Sequence, residues 1–260
     1  MKLMFAAFLL LFIGCKSKDK TESMSMPGAY KMLSVSMKSK TVDTTSTSAN
    51  QFKIYTDDFM MYANINSPDS ISSFGIGSYS VTMDTVSEHV IYSAGDSTSD
   101  DTARHYNLHI EKTAKGYIQV IPEMGTGDDK TKLTEEYESV GTATTSALDG
   151  AWKLTKRLWI KGADTTVGTP VQYKVYQSGY CIWGNTWTDS LSKKHTGIGF
   201  GTFTMTGNKV KESMTSSTYS DVRGHDFDID IALNGKDEFT QTMNNADGTK
   251  GVEVYMRMKK

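Results

Sequence analysis

Cysteine is scarce: Cys15 and Cys181 are the only two in 260 residues, too few for the bridges that staple small secreted domains. Because Cys15 belongs to a leader described below, Cys181 is a lone thiol, of the kind more often hidden in a core than used. Proline numbers only four, and no collagen-like or disordered composition is present, so the body reads as a globular fold. Basic residues are dispersed. The densest group is Lys16, Lys18 and Lys20, interrupted by Asp19, and the net charge is −2. That excludes nucleic acid as the main partner, which would require a concentrated basic surface. No apolar run reaches the roughly 20 residues of a membrane-spanning helix. No Ser–His–Asp arrangement is placed by motif, no Gly-rich loop leads into a helix, and no carboxylate pair stands out. An enzyme is therefore not expected, nor a metal or cofactor.

The leader comes first among the features that are present. Met1-Lys2 is a positive start, Leu3 to Ile13 is apolar and uncharged, and the segment ends in Phe12-Ile13-Gly14-Cys15. This is the anatomy of an export signal. Its end resembles a lipobox, in which a small residue precedes a cysteine that is lipidated and becomes the new N-terminus; Phe12 stands where an aliphatic residue is usual. The resemblance implies a signal peptide over residues 1–14, lipidation at Cys15 and a polar tether over 15–26. Several acyl chains at about 0.8 kcal/mol per buried CH₂ would hold such a protein to a membrane essentially permanently. The Lys and Asp residues after Cys15 are similar to export tags of surface lipoproteins of the Bacteroidota. The expected address is the cell envelope, at the outer membrane.

The strongest signal beyond residue 26 is self-similarity. Gly28-Ala29-Tyr30-Lys31-Met32 is answered by Gly150-Ala151-Trp152-Lys153-Leu154, and Ile54-Tyr55 by Val175-Tyr176. Gly75-Ile76-Gly77 meets Gly199-Phe200-Gly201, and Tyr117 and Gln119 meet Phe239 and Gln241. Across these blocks the offset stays between 121 and 124 residues. Each copy reads as eight short strands. Those of the first lie near 29–35, 51–56, 59–63, 74–82, 88–93, 105–112, 116–121 and 132–138. Those of the second lie near 151–160, 171–177, 180–184, 197–205, 208–214, 226–232, 238–243 and 251–258. Alternation is cleanest in Phe227-Asp228-Ile229-Asp230-Ile231. Asn234-Gly235 has the chemistry of a tight hairpin turn, and the Gly-x-Gly pairs suit a sharp bend or close strand approach. The class is all-β, antiparallel, with copies at 27–138 and 150–260 joined by a linker at 139–149. The linker holds few large apolar residues, so a fragment of residues 144–260 is expected to fold alone.

Eight strands opening on Gly-x-aromatic resemble the lipocalin-like barrels of bacteria. In that family a first-strand Trp packs near an Arg of the last strand and closes one end. Here Trp152 and Arg257 fit those places in the second copy, whereas Tyr30 replaces Trp in the first, whose last strand offers no Arg. The resemblance implies a cup for a small hydrophobic molecule. The same strands could also build one large two-sheet body.

Candidate site residues follow from the faces. Gln119 and Gln241 share the inner side with Tyr117 and Phe239, where an amide must meet cross-strand partners or orient a ligand. Trp183, with Trp159 and Trp187, could stack on a ligand or simply pack. His105 and His109 share a strand face, as do Asp226, Asp228 and Asp230; a solvated outer face explains both sets better than a metal. Two functions are then open: a lipid-anchored binding protein for a small hydrophobic ligand, or a non-catalytic lipoprotein that docks a protein partner. The leader supplies its own test. Cys15→Ser should release the protein from the membrane and detergent phases, and continued membrane partitioning would disprove the anchor.

Overall fold

The computed structural model describes residues 25–48, 50–65, 72–95, 98–125, 129–168, 170–245 and 247–260. The signal peptide, Cys15 and nearly all of the tether lie outside them. Among the described residues there is no helix. The first copy comprises β1 (Gly28–Lys38), β2 (Asp43–Ser46), β3 (Gln51–Tyr55), β4 (Phe59–Asn64), β5 (Ser73–Thr82), β6 (Thr85–Gly95), β7 (Thr98–Asp100), β8 (Arg104–Lys112), β9 (Gly116–Met124) and β10 (Thr131–Ser139). The second comprises β11 (Gly150–Lys161), β12 (Asp164–Gly168), β13 (Val171–Gln177), β14 (Tyr180–Thr188), β15 (Lys194–Thr206), β16 (Lys209–Ser217), β17 (Asp226–Asn234), β18 (Glu238–Asn244) and β19 (Lys250–Arg257).

Each copy is a closed eight-stranded antiparallel barrel. Neighbours in sequence pair around the wall, and β10 returns to β1 as β19 returns to β11. Closure leaves no edge among these strands, and it rules out the single two-sheet body. The strands missed by sequence pattern, β2, β7 and β12, are short pieces hairpinned onto β1, β6 and β11 outside the barrel circuit. The Gly-x-Gly pairs do two jobs. Register shifts fall between Ile76 and Gly77 and between Phe200 and Gly201, where a Cβ would overlap the carbonyl oxygen of His89 or Ser213. These are bulges that bend the wall. Gly75 and Gly199 instead leave room for the rings of Tyr62 and Trp183, which lie against the bare backbone.

One end of each barrel is plugged. Trp152 is buried and donates from Nε1 to the Leu148 carbonyl at 2.7 Å, while the Arg257 Cζ lies 4.0 Å from the centre of its ring. The same guanidinium caps carbonyls of Asp149, Lys236 and Ala147 at 2.7, 2.7 and 3.2 Å. In the first barrel Tyr30 donates to the Met26 carbonyl at 3.0 Å, and Ser139 holds the place across from it that Arg257 holds across from Trp152. Met26 and Leu148, read from sequence as tether and linker, are buried parts of these plugs.

The two barrels stand side by side with their plugged ends together. Lys260, at one plugged end, reaches the Tyr79 carbonyl; at the other ends Tyr92 meets Thr186 at 2.6 Å and Asn50 meets Ser216 at 3.3 Å. Between them lies an apolar seam of corresponding outward faces. Phe52, Ile54 and Met61 belong to one barrel, Tyr173, Val175 and Ile182 to the other. Phe52 stacks on both Tyr180 and Phe200, with ring centres 5.3 and 4.9 Å apart. Each large side chain so buried contributes about 1.5–3 kcal/mol relative to exposure. A fragment of residues 144–260 retains every strand of its barrel but lays Tyr173, Val175, Ile182 and Phe200 open to water, which favours self-association over a free monomer.

The plug of the second barrel gives a quantitative expectation. Trp152→Ala should cost about 3–5 kcal/mol through lost packing. Arg257→Ala should cost about 0.5–2 kcal/mol, and the double variant less than the sum. Urea unfolding of the three variants checks this; strict additivity would mean that the two side chains do not act together.

Candidate functional site

Hydrophobic burial builds the walls of each barrel, yet the middle is polar. In the first, Lys53 Nζ donates to Glu88 Oε1 at 2.9 Å and to Gln119 Oε1 at 3.1 Å. Gln119 Nε2 donates to Glu135 Oε2 at 2.7 Å, and Tyr137 to the same oxygen at 3.0 Å. The second barrel repeats the chain with the corresponding residues. Lys174 Nζ meets Glu212 and Gln241 at 2.9 and 3.0 Å, Gln241 Nε2 meets Glu253 at 2.7 Å, and Tyr255 donates to Glu253 at 2.6 Å. Lysine, both glutamates and the glutamine are all buried in each copy. The four come from the third, sixth, ninth and tenth strands of the first copy, so the chain of bonds crosses the barrel rather than following its wall. Removing one partner of such a buried pair costs about 3–5 kcal/mol, because the other charge is left stranded.

The copies differ in one charge. Arg157 lies opposite Glu253 in the wall and donates to it from Nε at 2.6 Å; it also bonds Gln172. At the equivalent place in the first barrel, opposite Glu135, stands Val35. Two carboxylates there share one lysine, and burial raises the Glu135 pKa against the attraction of Lys53. Burial also lifts the hydroxyl pKa values of Tyr55, Tyr137, Tyr176 and Tyr255 well above the ordinary range, so these phenols serve as neutral donors.

Above the polar floor, away from the plug, the second barrel contains a cavity of about 310 Å³. Its walls are Trp159, Trp183, Met214, Phe227, Ile229 and Met243, and Tyr219 and Val222 from the loop at 218–225 lie over it. Arg157, Lys174, Glu212, Gln241 and Glu253 form the floor. Two cations and two carboxylates make that floor formally neutral. The upper wall is ordered by aromatic contacts: Trp183 stacks on Tyr219 at 5.8 Å and donates to the Met214 sulfur at 3.3 Å.

The residues singled out from sequence distribute as follows. Gln241 and Trp183 meet in this cavity, and Gln119 occupies the matching floor of the first barrel. Trp152 and Arg257 sit at the plug, at the end of the barrel opposite the cavity, as structural residues. Trp159 lines the cavity, while Trp187 stacks on His195. His105 and His109 are on an exposed outer face: His105 stacks on His89, and His109 faces Asp84 at 3.3 Å. Asp226 and Asp230 are likewise outside, paired with Lys211 and Lys209. Cys181 is buried inside its barrel, where desolvation pushes the thiol pKa up. Among the described residues no three metal-ligating side chains converge.

Sequence reasoning missed the lysines and glutamates of both floors. The repeat itself carried the signal, since Lys53 and Lys174 are 121 positions apart and Glu88 and Glu212 are 124. No protein-family model matches the chain, and no curated protein matches it.

Glu135 sets a pH dependence. Its folded pKa lies above the unfolded one, so its contribution to stability is complete below the unfolded pKa and is lost as pH rises through the folded value. Glu135→Gln, which keeps one acceptor oxygen, should therefore raise the melting temperature at pH 7 more than at pH 4. Equal shifts at both pH values would show that Glu135 carries no such penalty.

Proposed function

We propose that the protein is a lipid-anchored lipoprotein of the bacterial cell envelope with lipocalin-like barrels, the second of which binds a small hydrophobic molecule. The observation that carries this reading is the cavity of about 310 Å³, with apolar walls over a hydrogen-bonded polar floor. Ligand sites have this character: mostly apolar lining with a few fixed polar groups, in volumes from about 300 Å³ upward. The volume is at the small end, which suits a short apolar body rather than a long-chain lipid. Neutrality of the floor favours an uncharged ligand, since a carboxylate or ammonium would have to lose its water against groups already paired.

Under this reading the anchor also sets which end of the molecule is held at the membrane. The chain enters the first barrel at its plugged end, beside Met26. A lipid on Cys15 would then tether the molecule by that end and leave the mouth of the second barrel on the opposite side. Capture from the aqueous side, rather than extraction from the anchoring bilayer, follows from that orientation.

Titration with the small fluorophore 1-naphthylamine, neutral at pH 7 and of a size the cavity can hold, tests the cavity. Saturable one-site enhancement is expected, weakened about tenfold or more by Val222→Trp, which fills the mouth from a loop and leaves the wall strands intact. The fold of the variant is checked by its melting temperature. A wild-type protein that shows no saturable binding, or a folded variant that binds as well, would overturn the assignment.

A further inference from the structure

The cavity of the second barrel does not end at its own rim. A second hollow, of about 650 Å³, lies between the unplugged ends of the two barrels. Arg157 and Trp159 line both spaces and so form a shared lip. The first barrel contributes Tyr92, Ser99 and Asp101 to this groove; the second contributes Thr186, Thr188 and Lys194. Lys194 Nζ reaches across to the Ser99 hydroxyl at 3.2 Å, and Tyr92 to Thr186 at 2.6 Å. Ser99 is in β7, a strand of the first copy's β6–β8 connection; the second copy uses its equivalent connection, 218–225, as a cover for the cavity. The duplicated fold thus departs from symmetry at the point where the two spaces meet.

The two spaces differ in chemistry. The cavity walls are hydrocarbon and indole, whereas the groove mixes the apolar surfaces of Pro170, Val171 and Trp187 with the Thr188 hydroxyl, the bonded hydroxyls of Ser99 and Thr186, one carboxylate and one ammonium. Arg157 is already committed to Glu253 at 2.6 Å, and Lys194 donates to Ser99 in a groove that also holds the Asp101 carboxylate. An anionic head group would find no free cationic cluster here and would meet Asp101. A neutral group rich in hydroxyls finds donors and acceptors of both kinds. The Trp159 side, 41% exposed, adds a flat apolar surface beside them, suited to a ring with one apolar face and a polar rim.

We infer that the ligand is a neutral amphiphile whose short apolar chain fills the second barrel and whose polyhydroxylated head lies in the groove between the two barrels. The inference rests on the binding reading given above and narrows it to a ligand class. The sizes agree with it. At the roughly 30 Å³ that a water takes in the liquid, the cavity holds about ten heavy atoms. The groove has twice that volume, room for a sugar-sized head with its remaining water.

The test compares three probes with one eight-carbon chain, followed by calorimetry and intrinsic Trp fluorescence: octyl β-D-glucoside below its micellar concentration, 1-octanol and octanoate. The glucoside should bind about tenfold or more tightly than octanol, and octanoate no more tightly than octanol. The double variant Asp101→Ala/Thr188→Ala alters two exposed groove positions. It should bring the glucoside to within about twofold of octanol and leave octanol itself unchanged. Equal binding of glucoside and octanol by the wild-type protein would overturn the head-group site while leaving the apolar cavity standing. Preference for octanoate would overturn the neutral head, and an unaltered preference in the double variant would overturn its placement in the groove. Failure of all three probes to bind would overturn both this inference and the binding function beneath it.

Discussion

A lysine removed from water must keep its counter-charge in contact, and in each barrel the rest of the arrangement answers to that requirement. Lys53 and Lys174 are held by a glutamate from one strand and a glutamine from another, and the glutamine is held in turn by a second glutamate. Such networks add little net stability compared with hydrocarbon of the same shape. What they constrain is register. A one-residue slip of β3 would turn Lys53 into the apolar seam and Phe52 into the polar interior, and both changes are costly.

The seam explains why β3 to β5 and β13 to β15 are buried on both faces. Their inward residues serve the barrel, and their outward residues serve the contact with the other copy. The contact joins corresponding faces, as in an isologous dimer, but within one chain. Because the relation between the copies keeps both plugged ends together, the two unplugged ends point the same way, and the groove between them is a property of the pair alone.

Duplication also left each copy free to change. The floor was retained residue for residue, while its surroundings diverged. Arg157 replaces the place of Val35 and neutralises a floor that in the first barrel carries an excess carboxylate. Trp183 stands where the first copy has Tyr62, each lying over a glycine of the next strand. These changes coincide with the cavity of the second barrel, and they give the two copies different electrostatic interiors on one backbone plan.

The sequence by itself determined the duplication, the sixteen strands that make the barrel walls, the inward direction of Gln119 and Gln241, and the partnership of Trp152 with Arg257. These are readable because a strand repeats every two residues and because a closed wall must bring its first and last strands together. Only the tertiary structure decided which face of β3 and β13 points inward. In Gln51-Phe52-Lys53-Ile54-Tyr55 the alternation is plain, but the ordinary rule places the apolar set inside and the lysine in water. The seam inverts that rule: Phe52 and Ile54 face a second barrel, and Lys53 faces an ion pair. A pattern of two faces carries no information about what lies beyond each, and here both lie against protein. The cavity and the groove were hidden for the same reason, since their lining comes from strands far apart in the chain and, for the groove, from both copies at once.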